Sequence, residues 1–129
     1  MLFLDSSFLI SYFSPEDGNH GRAVSIWEAL KGKSVISDHV LSEVVTLIWK
    51  RYNTKRAFEA GQILFRSREI DIVFSNLSQA KEAVEKMKKY GNLSFCDSLS
   101  ISIMREQGIE GIVSFDSDFD RIGGIQRIH

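Results

Sequence analysis

The sequence predicts an α/β domain in which a short, mostly parallel sheet is covered by helices on both faces. Three observations favour this fold class. Short apolar runs at residues 2–4, 35–36 and 112–113 have the length of buried strands. Segments with the apolar spacing of amphipathic helices separate these runs. The 129 residues suffice for one domain with a sizeable core, and no linker or internal repeat divides them.

Apolar spacing predicts the order of the elements. The predicted strands are residues 2–4, 35–36, 70–74, 112–113 and 124–128. The predicted helices are residues 8–13, 20–31, 38–50, 54–65, 78–90 and 94–107. Because helices alternate with the strands, we expect neighbouring strands to be parallel, and the carboxyl ends of such strands are where ligands bind in open α/β sheets.

Capping and breaking residues bound the predicted helices. Asp38 is the predicted N-cap of the third helix, since its side chain can accept from the free N–H groups of the first turn. Asn53 and Thr54 open the fourth helix in the same way. Residues that end a helix follow four of the segments, at Pro15, Gly32, Gly91 and Gly108.

The composition excludes several classes of protein. It is 43% hydrophobic and 26% charged, with one proline and nine glycines, which argues against a disordered chain. No apolar run approaches the roughly 20 residues needed to span a bilayer, and the first strand meets an acid too early for a signal peptide. A single cysteine, Cys96, excludes an internal disulfide. We therefore expect a cytoplasmic protein that does not contact membranes, with Cys96 as a small packed residue.

Four acidic residues lie among apolar neighbours at the ends or beginnings of separate elements. They are Asp5, Glu43, Asp97 and Asp116. A buried charge is costly unless it is paired or coordinates a metal, and no lysine or arginine recurs beside these four. The three histidines show no metal-ligand spacing. A shared Mg²⁺ or Mn²⁺ ion, which prefers carboxylate oxygens, is the economical explanation and predicts metal-assisted phosphoryl chemistry.

Each acid also has a structural alternative. Asp5, with Ser6 and Ser7, could cap the following helix. Asp97 could complete a capping box with Ser94, although it shares an inward face with apolar residues. Glu43 is harder to explain structurally, because it lies on the apolar stripe of its helix.

Acidic residues are unusually frequent in a short segment near the end of the chain. Asp116, Asp118 and Asp120 alternate with other residues directly after the fourth predicted strand. A polar turn with one aspartate as N-cap would also produce this pattern. The pattern by itself therefore leaves a metal site and a turn as open alternatives.

Together the four segments resemble the PIN-domain family of metal-dependent ribonucleases, in particular its small VapC-type toxins. The resemblance covers essentially the whole chain. The matching segments are Leu4-Asp5-Ser6-Ser7-Phe8-Leu9-Ile10, Ser42-Glu43-Val44, Phe95-Cys96-Asp97-Ser98-Leu99 and Ser114-Phe115-Asp116-Ser117-Asp118-Phe119. Each segment alone is weak evidence for the family, and the resemblance depends on all four segments occurring in this order.

The resemblance implies an α/β/α sandwich whose acidic pocket binds Mg²⁺ or Mn²⁺. It carries over Asp5, Glu43, Asp97 and Asp116 as the catalytic set, with Asp118 as a further, more variable metal ligand. Hydroxyl positions that support the pocket correspond to Ser7 and Ser114. The implied activity is endonucleolytic cleavage of RNA that leaves 5′-phosphate and 3′-hydroxyl ends. The implied biological role is the toxin of a toxin–antitoxin pair.

Other function classes fit less well. A receiver-type signalling domain would need an acceptor aspartate after the third strand, where Ser75 and Asn76 stand, and a lysine late in the chain. A haloacid-dehalogenase-like phosphatase would need an aspartate at position 7, and an integrin-type metal-binding module a serine at position 9. The remaining alternatives within the family are an RNA-processing nuclease without an antitoxin and a catalytically silent binding module.

Two further features bear on partners. The net charge is −1, but basic residues concentrate between positions 50 and 68, against one acid in that stretch. These candidates for RNA contacts are Lys50, Arg51, Lys55, Arg56, Arg66 and Arg68. A solvated helix face explains them equally well.

Large apolar side chains are also numerous in the first half of the chain, and contiguous exposed apolar surface usually marks an interface. These are Phe8, Tyr12, Phe13, Trp27, Trp49, Tyr52, Phe58 and Phe65. They predict a homodimer built from the helices between residues 39 and 68. For toxins of this family, the resemblance adds an antitoxin partner that lies across an apolar groove.

Overall fold

The computed structural model describes all 129 residues and has the predicted succession of strands and helices. The strands are β1 (Leu2–Leu4), β2 (Ser34–Ser37), β3 (Ile70–Val73), β4 (Gly111–Val113) and β5 (Gln126–Ile128). The helices are α1 (Ser6–Tyr12), α2 (His20–Ala29), α3 (Asp38–Arg51), α4 (Thr54–Arg66), α5 (Leu77–Tyr90) and α6 (Phe95–Gln107). A 3₁₀ helix follows β4 at Ser117–Arg121.

The five strands form one sheet in the order β3-β2-β1-β4-β5, and every neighbouring pair is parallel. The sheet is therefore wholly parallel, where the sequence predicted a mostly parallel one. The chain moves outward from β1 to β2 and β3 and then returns past β1 to β4. With right-handed crossovers this order places α1 to α4 on one face and α5 and α6 on the other. The expected three-layer α/β/α sandwich is confirmed.

One apolar core of 26 buried residues holds these layers together. The central strand contributes Phe3 and Leu4, both without exposed surface, and Ile112 and Val113 of β4 lie beside them equally buried. A strand that is buried on both faces carries consecutive apolar residues, which is why these short runs could be recognised from the sequence. None of the helices combines the length and apolar character needed to cross a bilayer.

Helix boundaries follow local capping signals, with one correction. Asn53 caps α4 by accepting from the N–H of Arg56, as predicted. The cap of α3 is Ser37 rather than Asp38, since the Ser37 hydroxyl accepts from the N–H of Val40. Asp38 lies in the first turn instead, and its carboxylate accepts hydrogen bonds from the N–H and hydroxyl of Ser75.

The aromatic residues of the first half are better covered than the sequence predicted. Phe8 is fully buried, and four others are half-buried and pack against the core: Tyr12, Phe13, Trp27 and Tyr52. Only Trp49, Phe58 and Phe65 are exposed, by 54%, 64% and 60%. The expectation that a domain of this size would struggle to cover so many large apolar side chains was therefore wrong for five of the eight, because they pack in or against the apolar core.

Candidate active site

The carboxyl edge of the sheet carries an acidic pocket of about 440 Å³. Its lining includes all four acids singled out from the sequence, which four different elements supply. Asp5 directly follows β1, Glu43 lies on α3, Asp97 lies in the first turn of α6 and Asp116 follows β4. The topology brings them together, since β1 and β4 are adjacent and pair with Leu4 opposite Val113.

Asp5 is the most buried of the four, with 2% of its surface exposed. It occupies the N-cap position of α1, but its side chain makes no capping hydrogen bond. Its Oδ2 instead accepts from the hydroxyls of Ser7 and Ser114, each at 2.6 Å. Burial raises the pKa of Asp5, against the lowering effect of the two serines, and the charge of Glu43 raises it further. The capping alternative for Asp5 is therefore wrong.

The two serines also fix the loop that follows β4. The Ser7 hydroxyl accepts from the N–H of Phe115 at 3.0 Å, and the Ser114 hydroxyl accepts from the N–H of Asp116 at 3.0 Å. The two hydroxyl oxygens lie 3.2 Å apart. Each serine thus links the carboxylate of Asp5 to the backbone beside Asp116, so the network sets the relative position of these two acids.

Asp97 is half-buried in the first turn of α6. Its N–H donates to the hydroxyl of Ser94 at 3.1 Å, so Ser94 caps the helix, but the reciprocal half of a capping box is absent. The pKa of Asp97 is raised to about 7, mainly by burial and further by the charges of Asp5, Asp116 and Glu43. No lysine or arginine forms an ion pair with Asp97 that would lower it again.

Glu43 lines the same pocket, and Cys96 lies next to Glu43 without lining it. Glu43 is half-buried on the inward side of α3. The pKa of the Cys96 thiol is raised, first by burial and then by a hydrogen bond with Glu43 and by the charge of that carboxylate. Cys96 therefore stays protonated and is a poor nucleophile, in agreement with its predicted packing role.

The acids after β4 have separate positions. Asp116 caps the 3₁₀ helix, because its Oδ1 accepts from the N–H of Asp118 at 2.9 Å. Asp118 is half-buried but does not line the pocket. Asp120 points elsewhere and pairs with Arg127. The N-cap alternative is correct for Asp116, which combines it with a place in the pocket.

Comparisons with known proteins identify the family. The PIN domain profile matches residues 2–125. The chain belongs to the PIN-domain family. It is 30% identical over 129 residues to the 23S rRNA-specific endonuclease VapC20 of two strains of Mycobacterium tuberculosis, which covers 98% of this chain and 97% of that protein.

Solved structures give the same fold. The crystal structure of M. tuberculosis VapC20, described as a sarcin-ricin loop cleaving toxin, superposes with a TM-score of 0.89 at 29% identity and covers 95% of each chain. A toxin–antitoxin complex from Klebsiella pneumoniae gives a TM-score of 0.73 at 20% identity, with 98% of this chain and 96% of that one covered. FitAcB from Neisseria gonorrhoeae gives a TM-score of 0.74 at 13% identity, with 100% of this chain and 97% of that one covered. The last two show the fold alone.

The donors of this PIN pocket suit a hard divalent cation. They are carboxylate and hydroxyl oxygens, and no lysine or arginine forms an ion pair with any of the four acids. As the side chains lie, no three histidine, cysteine, aspartate or glutamate residues are grouped closely enough to hold an ion. The four acids therefore share one pocket, but their side chains do not form a closed cage around a single point.

The pocket of the PIN domain includes a wall that the sequence did not reveal. Asp17 and Asn19, in the loop between α1 and α2, also line it. Oδ1 of Asp17 accepts from the N–H of Asn19 at 2.8 Å and from the Ser11 hydroxyl at 3.1 Å. The Pro15-Glu16-Asp17-Gly18-Asn19 segment signals a turn, but only the fold shows that the turn reaches the pocket.

The predicted basic residues fall into three groups. Arg51 lines the acidic pocket. Arg56 forms two hydrogen bonds to Glu16, of 2.7 and 3.0 Å, and its guanidinium lies 3.6 Å above the Tyr52 ring. The others are exposed and make no ion pair: Lys50, Lys55, Arg66 and Arg68. Arg56 therefore braces the loop that carries Asp17.

Proposed function

We propose that this protein is a divalent-metal-dependent endoribonuclease, the toxin of a toxin–antitoxin pair, with Asp5, Glu43, Asp97 and Asp116 as its catalytic acids. The observation that carries the proposal is the meeting of four carboxylates in one pocket without a pairing cation. Burial and, after it, the charges of the neighbouring acids raise the pKa of Asp97 to about 7, and a bound cation would relieve both effects.

Three of the four acids would bind the metal ion. Asp5, Asp97 and Asp116 would hold Mg²⁺ or Mn²⁺, with Asp118 at the edge of the site. When bound, such an ion stabilises charge on the phosphoryl group and lowers the pKa of water, so that phosphodiester hydrolysis needs no serine or histidine nucleophile. The 5′-phosphate and 3′-hydroxyl ends expected from the family remain part of this proposal.

The other residues would act on the proton and on the substrate. Glu43 faces the same pocket from α3 and would accept a proton from the attacking water. Ser7 and Ser114 hold the Asp5 carboxylate in one orientation. Arg51, as the basic residue that lines the pocket, would contact a phosphate next to the one that is cleaved.

The relatives suggest the substrate and the partners. The protein with 30% identity over nearly the full length is named as a 23S rRNA-specific endonuclease, so ribosomal RNA is the substrate class that we propose. The crystal structure with 29% identity is described as that of a toxin, so we propose that this protein also has an antitoxin partner and acts in the cytoplasm. The exposed Trp49, Phe58 and Phe65 support a homodimer through α3 and α4.

Cleavage of RNA by the purified protein tests the proposal. We expect ribosomal RNA to be cut at few positions with Mg²⁺ or Mn²⁺ and to stay intact with EDTA. Asp97→Asn or Asp5→Asn should abolish most cleavage, because an amide replaces an anionic ligand. Asp71→Asn is the matched control, since Asp71 is exposed on β3 and pairs only with Lys33. Cleavage that persists in EDTA, or that survives in the Asp97 variant, would contradict the proposal.

A further inference from the structure

Arg127 makes hydrogen bonds to both ends of the segment that carries the acids after β4. It lies on β5, beyond residue 125 at which the match to the PIN profile ends, and only 10% of its side chain is exposed. Its Nε and Nη2 donate to the two carboxylate oxygens of Asp120 at 2.7 and 3.0 Å. Its Nη1 donates to the backbone carbonyl of Ser114 at 3.2 Å. One guanidinium therefore holds both ends of the segment between positions 114 and 120.

The segment between positions 114 and 120 contributes two residues to the acidic site. Ser114 donates to Asp5, and Asp116 lines the pocket. The backbone at Ser114 is also fixed from the other direction, since its N–H donates to the carbonyl of Ile128 at 3.0 Å. Arg127 thus contacts, through the carbonyl of Ser114, the same residue whose hydroxyl orients the most buried acid.

We propose that Arg127 is a positioning residue for the acidic pocket. Its guanidinium bonds Asp120 and the carbonyl of Ser114 at once, and these bonds set where Asp116 lies relative to Asp5. The proposal rests on the proposed function, since it assigns Arg127 to the metal-binding geometry of that site. Arg127 does not line the pocket itself, so it acts on the site only through the residues that it holds.

The geometry calls for arginine in particular. A guanidinium presents several N–H donors in a fixed plane, so it can bind both oxygens of one carboxylate and a third acceptor at once. A lysine ammonium is a point charge that can pair with Asp120 but cannot reproduce the fixed fork. The pairing lowers the pKa of Asp120 and raises that of Arg127, so the contact is charged on both sides at neutral pH.

Three variants separate positioning from charge. Arg127→Gln removes the charge and the fork, whereas Arg127→Lys keeps the charge and removes the fork. Arg121→Gln is the control, because Arg121 is the last residue of the 3₁₀ helix next to this segment, is exposed and makes no side-chain hydrogen bond. The probe is Mn²⁺ alone, whose binding to the full-length protein is followed by electron paramagnetic resonance without any cleavage reaction.

We expect Arg127→Gln to weaken Mn²⁺ binding by about tenfold or more, the size of effect known for residues that orient metal ligands. Arg127→Lys should also bind more weakly than the parent, and Arg121→Gln should bind equally well. If a folded Arg127→Lys variant binds Mn²⁺ with the parent's affinity, charge alone is sufficient and the positioning role is wrong.

Amide hydrogen exchange gives a readout that does not depend on metal. The N–H groups of Phe115 and Asp116 donate to the hydroxyls of Ser7 and Ser114, and the N–H of Asp118 donates to Oδ1 of Asp116. In Arg127→Gln they should exchange faster while amides of β1 and α3 keep their protection. Uniformly faster exchange would indicate general destabilisation, and unchanged exchange would indicate no role. If the parent binds no Mn²⁺ but the exchange result holds, the proposed function fails and the positioning of the loop stands.

Discussion

The hydroxyl of Ser114 donates to Oδ2 of Asp5 over 2.6 Å, although the two residues stand 109 positions apart in the sequence. They meet because β1 and β4 are neighbours in the sheet, with Leu4 opposite Val113. The N–H of Asp5 also donates to the carbonyl of Val113 at 3.0 Å. The buried carboxylate of Asp5 is thereby held by a residue at the end of the adjacent strand β4, and this contact sets its position in the acidic pocket.

Ser114→Ala should therefore destabilise the protein. It leaves the buried Asp5 carboxylate with one hydroxyl donor and the N–H of Asp116 without its acceptor. A buried polar group that loses its partner costs about 1–3 kcal/mol, and we expect the free energy of unfolding at pH 8 to fall by that amount. Urea denaturation followed by circular dichroism measures it. Ser117→Ala, at an exposed serine of the same segment, should have little effect.

The raised pKa of Asp97 predicts a pH-dependent stability in the absence of metal. Its pKa is about 7 in the folded protein against a usual value of 3.8, so the folded state holds the proton more tightly than the unfolded state. The stability that this proton provides is complete below pH 3.8 and is lost as the pH rises through about 7. Replacing the acid with a neutral amide removes this dependence.

Asp97→Asn should consequently be more stable than the parent at pH 8 in EDTA. Allowing for partial solvent screening of this half-buried group, we expect a gain of about 1–2 kcal/mol, which disappears near pH 4. Thermal denaturation at the two pH values compares the variants. Equal stability at pH 8 would show that burial and the charges of the neighbouring acids do not raise the pKa of Asp97. With Mg²⁺ or Mn²⁺ added, the parent should regain stability and the variant should not.

Arg51 and Arg56 should differ in their effect on RNA binding. Arg51 lines the acidic pocket without an ion pair, so Arg51→Ala should weaken binding and reduce the slope of log affinity against log salt by about one. Arg56 is already neutralised by Glu16, so Arg56→Ala should leave that slope unchanged. Fluorescence anisotropy in an Asp97→Asn background keeps the RNA intact. Lys55→Ala, at an exposed and unpaired lysine, tests whether the phosphate contacts extend along α4.

The exposed aromatic residues of α3 and α4 predict the oligomeric state. Phe58 and Phe65 flank a groove that also includes Phe74, which is 76% exposed. We expect sedimentation at micromolar concentration to give twice the 14.7 kDa mass of the chain, and Phe65→Glu to give the monomer mass. Val84→Glu on α5 is the control, because Val84 is also exposed but lies outside the predicted interface. A parent protein that sediments at 14.7 kDa would refute the dimer.

The order of strands and helices could be predicted from the sequence because its signals are local. Consecutive apolar residues mark strands that are buried on both faces, as in β1 and β4. Asn53 and Gly108 mark a helix start and a helix end through hydrogen bonds and backbone angles within a few residues. The prediction was wrong where neighbouring residues compete for one role. Ser37 and Asp38 can both cap α3, and the tertiary contact of Asp38 with Ser75 decides between them.

By itself the sequence determined the fold class and the family resemblance, and it singled out the four acids as candidates, because their shared order along the chain is more specific than any one of them. Only the tertiary structure decided which contacts these residues make. Asp5 binds Ser114 rather than capping α1, Arg56 braces a loop through Glu16, and Arg127 joins Asp120 to Ser114. The physical reason is that side-chain hydrogen bonds act over about 3 Å in space. Residues 109 positions apart come within that distance only when the sheet has set the order of its strands.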